Sequence, residues 1–321
     1  MLQRFDAGFR PSNVKAVFYQ RTARSSKRIT MCSANVSQIY DLQRVLEPSV
    51  AYRYSDREKK LRETPLMQTS AERFNTISEN FTKSEVHRLS PSMIRFSELI
   101  GGARDLTIGD IACGPGHFGF SLAGHAARIV GIDPSHNMLK QFRDLGSKFA
   151  IPLEDRLGTA EDLPAADEEF DLTISRLAPH HFSDVRKAIA QMTRVTKKGG
   201  IVGIIDLQGC ENARCDTILH VLEMLHDPTH VRAYTASQWH EILSNAGLKI
   251  EHLENGLSEK LGGITIQRWC GIAGSGPVAE VAIDEFLRIC DSSELAQLGI
   301  ECREGIFYYP VRSLLALARR K

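Results

Sequence analysis

Between residues 105 and 208 short unbroken apolar runs alternate with amphipathic stretches. "DLTIGDIA" (105–112), "ARIVGID" (127–133), "FDLTISRL" (170–177) and "IVGIIDLQ" (201–208) are the apolar runs. Val/Ile/Leu runs of this length predict strands buried on both faces, as in a parallel sheet covered by helices. The intervening "HFGFSLAGHA", "SHNMLKQFRDLG" and "VRKAIAQMTRVTKKGG" predict helices, the last closed by its glycine pair. Upstream, "SAERFNTISENFTKSEVHRL" places Phe74, Ile77 and Phe81 on one helical face. Downstream, "TASQWHEILSNAGLKIEHLE" predicts a helix capped by Thr235 and stopped at Gly247, then a strand. Residues 255–305 read as a mostly helical insertion and "PVRSLLALARR" as a last strand. The pattern is that of a doubly wound α/β domain, and it contains no internal repeat.

The first 70 residues follow a different pattern and read as an extension, leaving 71–321 as the domain. "SQIYDLQRVLE" (37–47) could form a short helix ended by Pro48, and "SDREKKLRETP" reads as a solvated face or linker. Residues 1–30 carry Arg4, Arg10, Lys15, Arg21, Arg24, Lys27 and Arg28 against one acid, Asp6. That is the composition of an organelle transit peptide; the alternative is a disordered or untranslated extension with the start near Met31. The expected location is the cytoplasm, or an organelle if the leader acts as an address.

Composition narrows the function classes. The 321 residues carry a net charge of +1, with 42% hydrophobic and 25% charged residues, as in an ordinary soluble globular protein. Such a balance offers no global field for nucleic acid or an anionic membrane. No apolar run approaches the roughly 18 residues of a membrane span. The seven cysteines are scattered without a C-x-x-C pair, which argues against a zinc cluster or a disulfide framework, and no metal site is expected. Cys113 reads as a small buried filler. Either a monomer or a homodimer is compatible with this composition.

The chemistry concentrates in "GDIACGPGHFGFS" (109–121), where Gly114, Gly116 and Gly119 have the G-x-G-x-x-G spacing of a nucleotide-binding turn. Asp133, nineteen positions after Gly114, is placed to receive ribose hydroxyls from NAD or from S-adenosylmethionine. Asp110 separates the two. A carboxylate at the strand end repels a pyrophosphate but favours a ligand with a sulfonium and an ammonium group. This reading makes S-adenosylmethionine the cofactor.

The segments "LTIGDIACGPGHFGFSLA", "IVGIDPSHNML", "GTAEDLP" and "FDLTISRLAPHHF…MTRVTKKGGIVGIID" resemble, in order and spacing, class I S-adenosylmethionine-dependent methyltransferases. The resemblance covers roughly residues 72–253. It extends to the branch with the ubiquinone/menaquinone-biosynthesis and other small-molecule methyltransferases. It implies a mostly parallel seven-stranded Rossmann-like sheet. It also implies that Asp110 faces the methionine part and that Gly114 and Gly116 form the loop. Asp133 would bind the ribose, Pro134 and Met138 would lie near the adenine, and Ala160 and Glu161 would contact its edge. Ser175 and Arg176 would lie beneath the sulfonium. Ala112 stands where the family usually has glycine.

Methyl transfer from a sulfonium needs a base only if the acceptor is protonated, as a phenol or a carbon acid is. His180 and His181 in "APHHFSD" are candidates, with helix-entry packing as the alternative role. "LHDPTHVRAYT" offers His226, Asp227, His230, Arg232 and Tyr234 where a substrate lid is usual in small-molecule relatives, and Asp206 ends the fifth strand towards the same cleft. His230 is the third candidate base, whereas Arg232 is expected to pair with a neighbouring element. The expected function is methyl transfer to a carbon or oxygen of a small quinone-like, aromatic or polyketide-like metabolite. The rivals are an NAD-dependent oxidoreductase using GPGHFG and a non-catalytic assembly subunit of the same fold. An RNA methyltransferase lacks support, since the charge is near neutral and no Asn-Pro-Pro-Tyr type motif follows the fourth strand.

Overall fold

Residues 69–88 and 90–321 are described by a computed structural model. The expected leader (1–30), the helix at 37–47, the charged run after it and Cys32 lie outside the described residues. The described chain opens with Thr69, whose hydroxyl accepts from Glu72 N while Glu72 returns a bond to Thr69 N. This reciprocal cap starts helix α1 (Ser70–Lys83). Helices α2 (Glu85–Arg88) and α3 (Pro91–Ile100) follow, α3 with proline in its first turn.

Strand and helix then alternate. The order is β1 (Leu106–Ile111), α4 (His117–Ser121), β2 (Ala126–Asp133), α5 (His136–Gly146), β3 (Leu153–Leu157) and β4 (Phe170–Arg176). After these come α6 (Val185–Val195), β5 (Thr196–Leu207), α7 (Ala213–His226), α8 (Ala236–Asn245) and β6 (Leu248–Ser258). The chain ends in β10 (Arg312–Arg320), after an insertion built from β7 (Ile264–Thr265), α9 (Ile266–Ala273), α10 (Gly276–Ile289), α11 (Ser292–Leu298), β8 (Glu301–Arg303) and β9 (Ile306–Tyr309). Seven strands form one sheet in the order β3-β2-β1-β4-β5-β10-β6. Strands β1 to β5 are parallel and β10 is antiparallel to both neighbours. This is the expected mostly parallel seven-stranded Rossmann-like sheet with a C-terminal helical insertion.

Period-two alternation on the strands feeds two cores. On β10, Leu314, Ala316 and Ala318 join Ile189, Met192 and Trp239 under α6 and α8. Leu315 and Leu317 point the other way, to Phe96, Phe118 and Phe142 under α3, α4 and α5. Trp239 is fully buried, a packing residue as its pattern implies.

The elements differ from the sequence pattern in three places. Strand β3, "LEDRL", lies at the sheet edge, and its charges are satisfied by Arg143–Asp155 and by Arg128 and Arg156 on Glu154. An edge strand so decorated has no apolar signature. Helix α6 ends at Val195, not at the glycine pair. Thr196 turns extended and is held by Thr173 Oγ1 at 2.6 Å and Met192 O at 2.7 Å, so the glycines fall inside β5. The insertion adds a small antiparallel sheet, β7-β9-β8, to its helices. Among the described residues no helix is long and apolar enough to cross a membrane.

Helix α3 sits close to the sheet because Gly203 on β5 leaves room for the Phe96 ring. A Cβ at Gly203 would lie 2.3 Å from that ring, which is itself fully buried. Gly203→Ala is therefore expected to destabilise the protein by about 1–3 kcal/mol, the usual cost of overpacking a core. Urea denaturation should show a lower midpoint at unchanged slope.

Candidate functional site

The strand order reverses at β1, which pairs with β2 on one side and β4 on the other. A cavity of about 470 Å³ opens there, at the carboxyl ends of β1, β2, β4 and β5, where open α/β sheets bind ligands. Its walls include Asp110, Ala112, Gly114, Asp133, Pro134, Met138, Ala160, Glu161 and Arg176, together with His180, His181 and His230. Gly116 and Ser175 do not reach the wall. A Cβ on Gly116 would meet Phe120 and Phe142, so this glycine serves packing. Ser175 is fully buried with its Oγ unpartnered.

At the loop end two carboxyls organise the backbone. Asp133 Oδ2 accepts from Gly114 N at 2.9 Å and Oδ1 from Ser135 N at 2.8 Å. Asp110 Oδ2 accepts from Gly119 N at 3.0 Å, and a Cβ on Gly119 would lie 2.8 Å from that oxygen. The third glycine thus lets the carboxyl approach the helix backbone. Asp110 is 1% exposed. Burial pushes its carboxyl up to about 8, against the Gly119 bond and with help from Asp133, and burial brings Asp133 to about 6. Burial thus favours the protonated form of Asp110 at neutral pH, against the Gly119 hydrogen bond and the Arg176 charge.

The backbone around this end is strained. Ala112 (φ 53) and Leu177 (φ 47), which follow β1 and β4, both occupy the left-handed region. Side chains there cost of order 1–3 kcal/mol and gather at functional sites. Helix α1 covers the loop. Asn75 Oδ1 accepts from Ser135 Oγ and Asn137 N, and the Phe81 carbonyl accepts from His117. Glu161 Oε1 accepts from Ser183 N and Oγ, tying the segment after β3 to the one after β4.

Histidines fill the far end. His180 donates from Nδ1 to Asp206 Oδ1 at 2.6 Å, and its carbonyl accepts from Val231 N and Arg232 N. Burial works against a charged imidazole here, but the Asp206 carboxylate outweighs it and holds His180 above its ordinary value. Asp206 is fully buried beneath His180 and is not part of the cavity wall, so it reaches the cleft only through that ring. With Nδ1 committed, Nε2 is the His180 nitrogen left for a ligand.

His181 Nδ1 faces the Thr229 carbonyl at 3.0 Å, which fixes the proton on that nitrogen, and burial lowers the ring to about 3. His230 is 4% exposed, has no partner on either nitrogen, and is held far below its ordinary value by burial. Arg232 pairs with Asp216 at 2.5 Å, and neither it nor Tyr234 lines the cavity. Among the described residues no group of His, Cys, Asp or Glu is arranged to hold a metal ion.

Several lining residues carry no motif. Phe74, Phe81 and His87 come from α1 and α2, Glu223 from α7, and Trp269 and Ile272 from the insertion. Glu223 accepts from Tyr309 Oη at 2.6 Å, and Trp269 stacks between His226 (3.9 Å) and Tyr309 (4.1 Å). A lone acid inside "ILHVLEMLH" was the available signal for Glu223.

The free acceptor positions at the loop end match the ligand that the loop predicts. Among the described residues Asp110 Oδ1 accepts no hydrogen bond, and each Asp133 oxygen accepts one, so lone pairs remain for ammonium and hydroxyl groups. The residues fit S-adenosylmethionine.

Comparison with known proteins agrees with this geometry. Residues 109–204 match the family described as "Methyltransferase domain". The chain is 32% identical over 146 residues to the uncharacterized methyltransferase YcgJ of Bacillus subtilis, covering 45% of this chain and 58% of that protein. It is 36% identical over 107 residues to a demethylmenaquinone methyltransferase of Desulfitobacterium hafniense, covering 32% and 42%. Both alignments span less than two thirds of the relative's length. The YcgJ crystal structure superposes with a TM-score of 0.64 at 25% identity, over 72% of this chain and 98% of that one. A geranyl diphosphate C-methyltransferase of Streptomyces coelicolor superposes with 0.50 at 14% identity, over 73% and 77%, a likeness of fold alone. Residues 109–204 therefore match a methyltransferase domain, within a sheet that has the class I methyltransferase fold.

Proposed function

We propose that this protein transfers the methyl group of S-adenosylmethionine to an oxygen or acidic carbon of a small molecule. The observation that carries this reading is one cavity with two chemically distinct ends. Asp110 and Asp133 bracket the glycine loop at one end, and the buried His180–Asp206 pair faces the other. The buried Asp110 carboxyl gains by ionising beside a cationic donor and gains nothing beside a pyrophosphate, which favours S-adenosylmethionine over a nicotinamide cofactor.

In this reading Asp110, Ala112 and Gly114 take the amino-acid part of the donor. Asp133, Pro134 and Met138 take the ribose and adenine, and Ala160 and Glu161 the adenine edge. Gly116 supports the loop from behind. Ser175 and Arg176 act as framework under the site. S-adenosylmethionine supplies, when bound, an electrophilic methyl: the acceptor's lone pair forms the new bond while the C–S bond breaks, its electron pair staying on sulfur. The chain's own part is positioning and one proton transfer. His180 Nε2 receives the acceptor proton, and Asp206 holds the ring in the required tautomer and stabilises the imidazolium that forms. His181, neutral and with Nδ1 on the Thr229 carbonyl, orients the acceptor through Nε2. The named relatives act on different molecules, a demethylmenaquinone in one and geranyl diphosphate in another, so the acceptor here must be read from this cavity. A quinone-like or other aromatic hydroxyl suits it.

Asp110→Asn keeps an acceptor for the Gly119 N–H and removes only the titration. The folded wild type holds that proton where the unfolded chain has lost it, so its stability falls between about pH 4 and about pH 8. The empty variant is expected to melt no lower than wild type at pH 7, yet to bind S-adenosylmethionine at least tenfold more weakly. A cation beside Asp110 favours its ionised form, so binding to wild type should release a proton. Calorimetry at pH 7 in two buffers of different ionisation enthalpy measures this, and proton uptake would contradict the assignment. Stabilisation by NADH but not by adenosylhomocysteine would overturn the cofactor.

Asp206→Asn removes the carboxylate that raises His180. The rate is expected to fall about 10²-fold, within the range of general base catalysis. For wild type the rate should rise with pH as His180 loses its proton, above the ordinary imidazole value, and the variant's inflection should move to lower pH. An unmoved inflection in the kcat profile would exclude His180 as the base.

A further inference from the structure

We infer that the acceptor is an uncharged, largely apolar molecule presenting a hydroxyl, and that the cavity excludes phosphorylated or carboxylated compounds. The inference rests on the methyl-transfer reading and takes it further, from the charge and shape of the acceptor end.

The argument begins with cations. Among the described residues lining the cavity, Arg176 is the one arginine or lysine. Its charge is already paired: Nη2 lies 2.7 Å from Glu259 Oε2 and bonds the Val86 carbonyl and Ser90 Oγ, Nη1 reaches the His87 carbonyl, and Nε is buried without a partner. Arg73, behind the wall, is paired in the same way with Asp227 at 2.9 Å and bonds the Ala273 carbonyl. An anion drawn to either would compete with the buried carboxylate already there, and separating such a pair is strongly destabilising.

Histidines could replace arginine, but here they do not. Burial holds His87, His117, His181 and His230 below their ordinary value, so they offer lone pairs and N–H groups without charge. His180 lies 2.6 Å from the Asp206 carboxyl, so even when protonated it adds no net positive charge to the chamber. The same chamber contains Glu223, whose carboxylate repels an anion.

Shape and hydrogen bonding supply the positive half. Phe74, Phe81, Phe118, Trp269 and Ile272 give the chamber apolar walls, with Trp269 held by stacking between His226 and Tyr309. With Nδ1 of His181 on the Thr229 carbonyl, its Nε2 is the nitrogen left for a hydroxyl of an uncharged ligand.

The experiment uses the full chain saturated with adenosylhomocysteine and three probes of one ring size: 2-naphthol, 2-naphthoate and 2-naphthyl phosphate. Calorimetry at pH 7 is expected to show 2-naphthol binding at least tenfold more tightly than either anion. Glu223→Gln keeps an acceptor for the Tyr309 hydroxyl and removes one negative charge, so it should narrow that ratio at least threefold. An anion binding as tightly as 2-naphthol, 2-naphthol failing to bind, or a ratio unmoved by Glu223→Gln would each overturn the inference. Failure of adenosylhomocysteine itself to bind would instead overturn the methyl-transfer reading.

Discussion

The buried ion pair between Arg176 and Glu259 fixes how the parts of this molecule meet. Arg176 ends β4 at the mouth of the cavity. Glu259 follows β6 at the start of the insertion and also takes hydrogen bonds from Ser92 and Ser313. Through the carbonyls of Val86 and His87 the same guanidinium holds α2. One pair therefore clamps the N-terminal helices, the central sheet and the C-terminal insertion around the ligand space. Removing either member would leave the other charge buried and alone, a loss of about 3–5 kcal/mol by comparison with other buried pairs. The clamp also has a chemical consequence, because it takes out of circulation the one guanidinium able to greet an anionic acceptor.

At the loop end the constraint is geometric. Ala112 and Leu177 hold left-handed backbone at the two strand ends that flank the topological switch, and neither is glycine. The Leu177 N–H bonds the Ile205 carbonyl at 2.8 Å, so β5 over-determines the conformation. The loop must turn sharply there if Asp110 and Asp133 are to bind backbone N–H groups and still present oxygen to a ligand.

The sequence exposed this end fully and the other, beyond its histidines, only in part, for the same reason. Asp110, Gly114, Asp133 and Met138 lie within one stretch of alternating strands and turns, where spacing alone brings them together at adjacent strand ends. Glu223, Trp269 and Tyr309 meet only because α7 and the insertion fold back over β4 and β5, and nothing in their local pattern encodes that long-range contact. Burial was illegible as well. Asp110 read as a plain carboxylate, and only the surrounding core reveals the desolvation that raises it to about 8. Gly203 and Gly119 were readable as glycines but not as seats for Phe96 and for a carboxyl.

These two ends are coupled through charge, since both lie in one low-dielectric space. A cationic donor arriving beside Asp110 favours its ionisation, and the pair formed is neutral overall. A neutral acceptor then adds no field of its own, so its proton moves to His180 against the Asp206 carboxylate and little else. An anionic acceptor would raise the affinity of His180 for protons before the reaction began and leave the base already occupied. Excluding anions thus serves catalysis as well as selectivity: it keeps His180 free to act at the moment the acceptor oxygen attacks.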